Sequence, residues 1–207
     1  MLRVSRRRSF DRDTALESAL LEFWRYGYEA TSIASLTAAM GIRPPSLYAA
    51  FGDKRRLFDA VIQRYQKTYG TFLARAMAEE PTGRRAIGRL LRDAAAEYTN
   101  PAHPPGCLII SSAVNCGPES AEVGEAMREL REAAKAGIGA RIARDVTAGL
   151  LPEDTDIDAL AAFYAGTLQG MSVQARDRAP REQLERIATL AMLVWPDPSD
   201  GCPPEGR

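Results

Sequence analysis

Histidine and cysteine are scarce in this chain of 207 residues, which contains one histidine and three cysteines. Cys107, Cys116 and Cys202 form no CxxC pair, which argues against both a zinc site and a disulfide framework. His103 lies in a proline-rich loop, where we expect an exposed residue rather than a general base or a metal ligand. Carboxylates are not clustered at metal-ligand spacing, and no glycine-rich phosphate loop occurs. The sequence therefore predicts no catalytic residue, no metal and no cofactor.

Long apolar runs are lacking as well. No stretch approaches the ~20 residues of a membrane span. The basic start, residues 1–8, is not followed by the apolar segment of a secretory signal. We therefore expect a cytoplasmic protein with no membrane partner. With 45% hydrophobic and 26% charged residues, the composition is that of a globular protein.

The chain has no net charge, but its charges are spread unevenly. Residues 1–67 contain 12 Lys and Arg against 7 Asp and Glu, whereas the remaining residues contain 15 against 20. A nucleic-acid-binding surface at one end of an acidic body gives this pattern. Many two-part proteins without such a role also differ in charge, so the asymmetry is a weak indication by itself.

Almost the whole chain shows the apolar spacing of α-helices, and we predict an all-α fold of about nine helices. Gly27 ends the first pattern as a C-cap glycine does, and Asp11 or Asp13 is placed to cap its start. Asp53 is placed to cap a helix whose apolar face continues to about Glu80.

Two later segments are less regular. The stretch CLIISSAV, residues 107–114, is rich in β-branched residues, which would suit a strand. No other segment offers a partner strand, and a single strand leaves its backbone groups unpaired, so we expect a buried helix. A long helix over residues 119–150 contains Gly137 and Gly139, which are two candidate positions for a kink.

The last two predicted helices, within residues 156–195, are apolar on two sides, with small residues such as Gly166 and Gly170 beside the main face. Thr155 and Asp158 resemble a capping box at their start. A helix with two apolar sides is either buried within one chain or covered by a partner. We favour the partner and predict a homodimer through a four-helix interface. Burial of both faces within the monomer is the alternative.

A local motif stands near the N-terminus. Residues 32–40 show a short helical pattern, and GIRPPSLYAAF, residues 41–51, adds a turn and a second short helix. Two short helices joined by a tight glycine-containing turn form a helix-turn-helix. In such a unit the N-terminal end of the second helix enters the major groove of DNA. The paired prolines suit a first turn, because their φ is already helical and their missing N–H has no helical partner there.

The segment GYEATSIASLTAAMGIRPPSLYAAFGDKRRLFDAVIQRY, residues 27–65, strongly resembles the DNA-binding domain of TetR-type (tetracycline-repressor-like) transcriptional regulators. The matching positions are Gly27, Tyr28, Thr31, Ser32, Gly41, Ile42, Ser46, Leu47, Tyr48, Phe51, Lys54, Leu57 and Phe58. The resemblance implies a three-helix helix-turn-helix domain over residues 1–52, with a basic arm at 1–10, and a ligand-binding and dimerisation domain over 53–196. It also implies a repressor that a small molecule releases from a palindromic operator. Residues 197–207 are expected to form a disordered tail.

The motif and the resemblance together predict the contacts to double-stranded operator DNA. Tyr48 and Lys54 occupy the family's positions for a phosphate-binding aromatic and lysine, and Ser46 lies in the first turn, where side chains reach base edges. Arg43 can read a guanine or clamp a phosphate, and the sequence leaves both open. The start of the first helix of the pair offers hydroxyls and backbone N–H groups to phosphate. The full set is Thr31, Ser32, Arg43, Pro44, Pro45, Ser46, Tyr48, Ala49 and Lys54.

Apolar helix faces with polar interruptions predict a pocket for a small apolar or amphipathic ligand. The candidate lining residues are Tyr69, Tyr98, Ser112, Asn115, Met127, Tyr164, Gln169 and Met171. Because aromatic and methionine side chains at helical spacing are more often plain core, we expect fewer than half of them to touch a ligand. The rival hypothesis is a helical small-molecule-binding protein or enzyme without DNA binding, against which the basic first third of the chain argues.

Overall fold

The computed structural model describes residues 10–196, which form ten α-helices and two 3₁₀ turns, with no strand among them. The helices α1 to α10 span, in chain order, Arg12–Ala30, Ile33–Met40, Pro44–Phe51, Lys54–Lys67, Thr71–Glu79, Gly83–Tyr98, Leu108–Ser111, Ala121–Thr147, Ile157–Arg176 and Arg181–Ala191. The 3₁₀ turns are Pro118–Ser120 and Met192–Val194. The all-α prediction is confirmed. The basic arm, apart from Phe10, and the predicted tail lie outside the described residues.

The first four helices share one apolar core, which α2 and α3 enter through a few large side chains. Phe23 of α1 meets Phe58 of α4 edge-on with ring centroids 5.0 Å apart. Leu36 of α2 and Leu47 of α3 are fully buried beside them. α3 has eight residues, fewer than the ~12–15 at which an isolated helix is marginal in water. Burial of Leu47, at about 1.5–3 kcal/mol for such a side chain, therefore holds α3 in place.

Local capping sets the ends of these helices largely as predicted. Asp11 caps α1 by accepting the N–H of Asp13 at 2.9 Å, and Asp53 caps α4 by accepting the N–H of Arg56 at 2.8 Å. Gly27 does not end α1, which continues to Ala30; it interrupts the helix with φ of 80° and ψ of 175°, a conformation that favours glycine.

The single helix expected from Asp53 to Glu80 is wrong. α4 ends at Lys67, and the Gly70 N–H donates to the Tyr65 carbonyl at 2.8 Å, closing a turn before α5. Apolar side chains on both sides of the turn face the same core, so the apolar pattern runs through the break without interruption.

The rest of the chain is a helical body around α6, whose inner face is buried against α5, α8, α9 and α10. The predicted helix over 107–114 forms only as the four-residue α7, and α8 runs through both glycines as one helix. The proposed capping box before α9 is wrong: Asp156 is the cap and accepts the Ala159 N–H at 2.9 Å. None of the helices in residues 10–196 is long and apolar enough to cross a bilayer.

A buried ion pair ties α8 to the start of α6. Arg141 donates to the Asp145 carboxylate at 2.6 Å, and the second oxygen of Asp145 accepts the N–H of Gly83 at 2.6 Å. The two side chains are 3% and 5% exposed. A buried carboxylate of this kind satisfies an otherwise unpaired donor at the N-terminus of α6.

Candidate DNA-binding surface and ligand cavity

Helix α3 presents the residues that are predicted to contact DNA to solvent. Arg43, Pro44, Pro45, Tyr48 and Ala49 are exposed, and Ser46 is half-buried. The prolines occupy the first turn of the helix, as predicted. The exposed face therefore carries one guanidinium, one phenol and one hydroxyl, which are groups that bind phosphates and base edges.

Arg43 is the N-cap residue of α3. Its backbone is extended, with φ of −91° and ψ of 153°, as expected for a residue before proline. Its carbonyl accepts the N–H of Ser46 at 2.9 Å, which fixes the first turn. The Arg43 side chain thus leaves the helix at the end that a groove would receive.

The start of α2 differs from the sequence expectation at one residue. Thr31 is buried, and its hydroxyl donates to the Gly27 carbonyl at 2.6 Å, so this hydroxyl is not free for phosphate. Ser32 is exposed and forms a capping box with Ser35, whose N–H donates to the Ser32 hydroxyl at 3.0 Å. The phosphate-facing features that remain at this helix end are Ser32 and the first backbone N–H groups of α2.

Lys54 is half-buried at the start of α4, with its ammonium 4.3 Å from the ring centroid of Tyr28. Burial lowers the pKa of Lys54, and the nearby Glu29 carboxylate opposes that effect. The Tyr28 ring seats the lysine by a cation–π contact. The sequence predicted that Lys54 binds phosphate, but it did not indicate that Tyr28 supports the lysine side chain.

Several hydrogen bonds join the end of α1 to the helical body. The Tyr28 N–H donates to the Ser112 carbonyl at 2.7 Å, just after α7. The Glu29 carboxylate accepts the Gly117 N–H at 3.0 Å. The Arg176 guanidinium at the end of α9 donates to the Trp24 carbonyl at 3.2 Å. The end of α1 is therefore attached to the connection between α7 and α8 and to the end of α9.

A partly open cavity of about 110 Å³ lies in the helical body. Its lining comes from the α4–α5 region and from α6, α7, α8 and α9: Tyr65, Gly70, Phe72, Leu73, Tyr98, Cys107, Ile109, Ile110, Leu130, Arg131, Ala134, Ile138, Ala165, Leu168 and Gln169. A larger groove of about 940 Å³ between α8 and α9 is open and lined by alanine, glycine and exposed charged residues. The smaller, mainly apolar cavity has the character of a small-molecule site.

Comparison with known proteins identifies the family. Residues 15–61 match the model of bacterial regulatory proteins of the tetR family, and residues 83–191 match the tetracyclin repressor-like C-terminal domain. The chain belongs to the TetR family.

Its relatives include two repressors of Escherichia coli (strain K12). It is 33% identical to the HTH-type transcriptional repressor ComR over 91% of this chain and 90% of that protein. It is 28% identical to the repressor BdcR over 90% of this chain and 89% of that protein.

A solved structure of the TetR family transcriptional regulator CifR, a cysteine mutant complexed with 26-bp double-strand operator DNA, is 42% identical to this chain. It covers 92% of this chain and 100% of the CifR chain, with a TM-score of 0.89. The helix-turn-helix of this TetR family chain thus lies in the same overall fold as that of a DNA-bound regulator.

Two of the predicted pocket residues, Tyr98 and Gln169, line the cavity. The other six lie elsewhere. Met127 and Met171 are buried core, and Asn115 is exposed. Tyr164 packs near Trp195, and Ser112 is buried next to the end of α1.

Tyr69 lies beside the cavity rather than in it. Its hydroxyl donates to the Glu17 carboxylate at 2.6 Å, and this bond and burial together raise the pKa of Tyr69 to about 12, with burial the larger cause.

Cys107, Tyr65 and Arg131 also line the cavity, although the sequence did not predict them as pocket residues. Cys107 follows a loop and Tyr65 belongs to an otherwise ordinary core stripe, so periodicity alone gave no signal for either.

The expectation of an exposed His103 is wrong. Its ring stacks on Trp24 with centroids 4.4 Å apart, and its Nδ1 lies 2.9 Å from the Pro104 carbonyl. Its Nε2 lies 3.1 Å from the Glu97 carboxylate, an ion pair when the ring is protonated. Burial alone would lower the pKa of His103, but the Glu97 and Pro104 contacts outweigh it and raise the pKa. Aromatic packing against α1 explains why a loop histidine is buried here.

No three His, Cys, Asp or Glu side chains come together as a metal site in the described part of the chain.

Proposed function

We propose that this chain is a ligand-responsive transcriptional repressor whose α3 enters the major groove of operator DNA. The observation that carries the proposal is the division of α3 into two faces. Leu47 and Phe51 are buried, whereas Arg43, Tyr48 and the first turn are exposed. A helix fixed on one side can hold polar groups in register with base edges on the other.

The proposed contacts fall into two classes. Arg43 and Ser46 read base edges, with Pro44, Pro45 and Ala49 giving apolar contact in the groove. Tyr48, Lys54 and the start of α2 at Ser32 bind phosphates. Thr31 positions that start through its hydrogen bond to the Gly27 carbonyl.

A second copy of the chain would cover the exposed apolar face of α9 and the C-terminal helices. Phe163, Val173 and Leu190 are 40%, 51% and 64% exposed. Between the first two, side-chain atoms added at Gly166 or Gly170 would meet nothing within 4 Å. This face supports the proposed homodimer through residues 156–195 and, with it, a near-palindromic operator.

Gly166→Arg tests this interface without disturbing the monomer's own packing. We expect sedimentation to show monomers, because a charge would be buried between the copies. Ala188, in contrast, is buried within the chain, so a charge there would disturb the fold as well. A dimer that persists in Gly166→Arg would place the interface elsewhere.

The domain division at about residue 52 assigns ligand binding to residues 53–196, and α7 supplies the proposed link between the two functions. Ile109 and Ile110 of α7 line the cavity. The Ser112 carbonyl that follows holds the N–H of Tyr28, whose ring carries Lys54. A ligand that displaces α7 would therefore move the end of α1 and the phosphate-binding lysine, and so favour release from DNA.

Selection from a randomised duplex library tests the function directly. We expect enrichment of a near-palindromic site with two half-sites about one or more helical turns apart. Repeating the selection with a metabolite extract should lower the yield of that site. A library without any enriched symmetric site would contradict the proposal.

A further inference from the structure

One end of the cavity holds two phenols and a thiol in a lining that is otherwise mainly apolar. The Tyr65 hydroxyl donates to Cys107 Sγ at 3.3 Å. Tyr98 lines the same cavity, and the nearness of Cys107 adds to the effect of burial in raising the pKa of Tyr98. Tyr65, Tyr98 and Cys107 are 1%, 2% and 8% exposed, so bulk water does not compete for these groups.

The sulfur is a poor partner for the buried Tyr65 hydroxyl, since a thiol accepts hydrogen bonds only weakly. Burial raises the pKa of Tyr65 and of Tyr98 well above the usual range, so both phenols keep their protons at neutral pH. Burial also raises the pKa of Cys107, which keeps the sulfur uncharged. This end of the cavity therefore offers a pair of neutral donors without a strong acceptor.

We propose that the cavity selects a small, neutral, mainly apolar molecule with one oxygen acceptor, such as a ketone or an ether, and that Tyr65 and Tyr98 donate hydrogen bonds to that oxygen. The proposal rests on the proposed function, which makes this cavity the ligand site. An oxygen acceptor displaces the weaker sulfur as partner of the Tyr65 phenol and accepts a second bond from Tyr98. The apolar walls then bury the rest of the molecule.

The size and charge of the cavity further narrow the class of ligand that it can bind. Its volume of about 110 Å³ suits a single small ring, since an apolar cavity of about 150 Å³ in another protein binds benzene. A carboxylate would need a charged partner in this buried site. The guanidinium of Arg131, the basic group of the lining, already donates to the Ile109 carbonyl at 3.1 Å.

Calorimetric titration of the full chain without DNA tests this class with matched probes. Cyclohexanone carries the oxygen acceptor, and methylenecyclohexane has the same shape without it. We expect cyclohexanone to bind about tenfold more tightly, the effect of one or two net hydrogen bonds. Tyr65→Phe and Tyr98→Phe should each weaken cyclohexanone about 3- to 10-fold and leave methylenecyclohexane unchanged.

Tyr69→Phe is the matched control, because the Tyr69 hydroxyl is bound to Glu17 and does not line the cavity. Equal affinity for the two probes, no binding of either, or the same loss in Tyr69→Phe would overturn the proposal. Tighter binding of cyclohexanecarboxylate, abolished by Arg131→Gln, would overturn it in favour of an anionic ligand.

Operator binding by the same preparations separates this proposal from the proposed function. If the protein binds its operator but shows no preference for cyclohexanone, only the proposed ligand class is contradicted. If the protein prefers cyclohexanone as expected but no DNA site is enriched, the proposed repressor function is contradicted.

Discussion

The polar side chains of interest point outward in one part of the molecule and inward in the other. In α1 to α4, the proposed contact residues lie outside a buried apolar core, as Tyr48 does at 51% exposure. In α5 to α10, the polar groups of interest point inward, as Tyr98 and the Arg141–Asp145 pair do. In the proposed function, the outer surface binds a large, charged partner in water, whereas the inner one excludes water from a small partner.

This difference decides what a single substitution does in each part. A change on the outer face of α3 leaves the core intact and should alter DNA binding alone. A change at an inward polar group removes a partner from another buried group, so it costs folding stability as well. The comparison can be tested by making the same substitution in both parts.

Asp145→Ala should have the largest effect on stability. It leaves Arg141 buried without its carboxylate and the Gly83 N–H without an acceptor, which we expect to cost about 3–5 kcal/mol. Asp53→Ala is the matched change in the other part, where an exposed N-cap is lost at about 1 kcal/mol. Urea unfolding of both variants measures the difference, and equal losses would contradict the division between inner and outer polar groups.

Lys54→Ala should affect DNA binding more than stability. Loss of one charged contact to phosphate should weaken operator binding by about 1.5–3 kcal/mol and reduce the salt dependence by about one counterion. The loss should be similar for operator and unrelated duplexes, as fluorescence anisotropy at several salt concentrations can show. Lys67→Ala, at the exposed far end of α4, is the control. An unchanged salt slope in Lys54→Ala would remove this lysine from the phosphate contacts.

The smallest expected effect is a pH dependence at the junction of the two parts. The raised pKa of His103 means that its protonated form stabilises the fold. That contribution is complete below the unfolded pKa of about 6.5 and is lost as the pH rises through the folded value. Unfolding measured from pH 5.5 upward should show the decline, and His103→Gln should remove it.

The groups that face His103 allow a second measurement of the same titration. Glu97 pairs with its ring, while Trp24 and Tyr69 pack on it and Tyr69 is bound to Glu17. The chain has one histidine, so one imidazole resonance reports the pKa by NMR. Glu97→Gln should lower that pKa, and no change would show that the carboxylate does not hold the ring.

The fold of the N-terminal part was largely predictable because its signals are local. The prolines of α3, the glycine at position 41 and the cap at Asp53 each act within a few residues of themselves. Leu36 and Leu47, each within one of the two short helical patterns, are both buried. Thr31 departs from its expected role because its hydroxyl finds the Gly27 carbonyl four residues earlier.

The cavity was predicted less well because no local pattern encodes it. Helical spacing shows that Tyr98 and Tyr164 point into the core, but it does not show that, of the two, Tyr98 alone lines the cavity. That depends on where α7 and α9 lie relative to α6. The break between α4 and α5 was missed for a related reason, since two helices that share one core face repeat like a single helix.

By itself, the amino-acid sequence determined the helical class, the helix-turn-helix and the outward residues of α3, because capping, proline geometry and apolar spacing act over short distances. Only the tertiary structure decided that Tyr65, Tyr98 and Cys107 share the end of a cavity, that His103 stacks on Trp24, and that α7 holds the end of α1. Each of these arrangements joins residues far apart in the chain, and packing in three dimensions sets their distances.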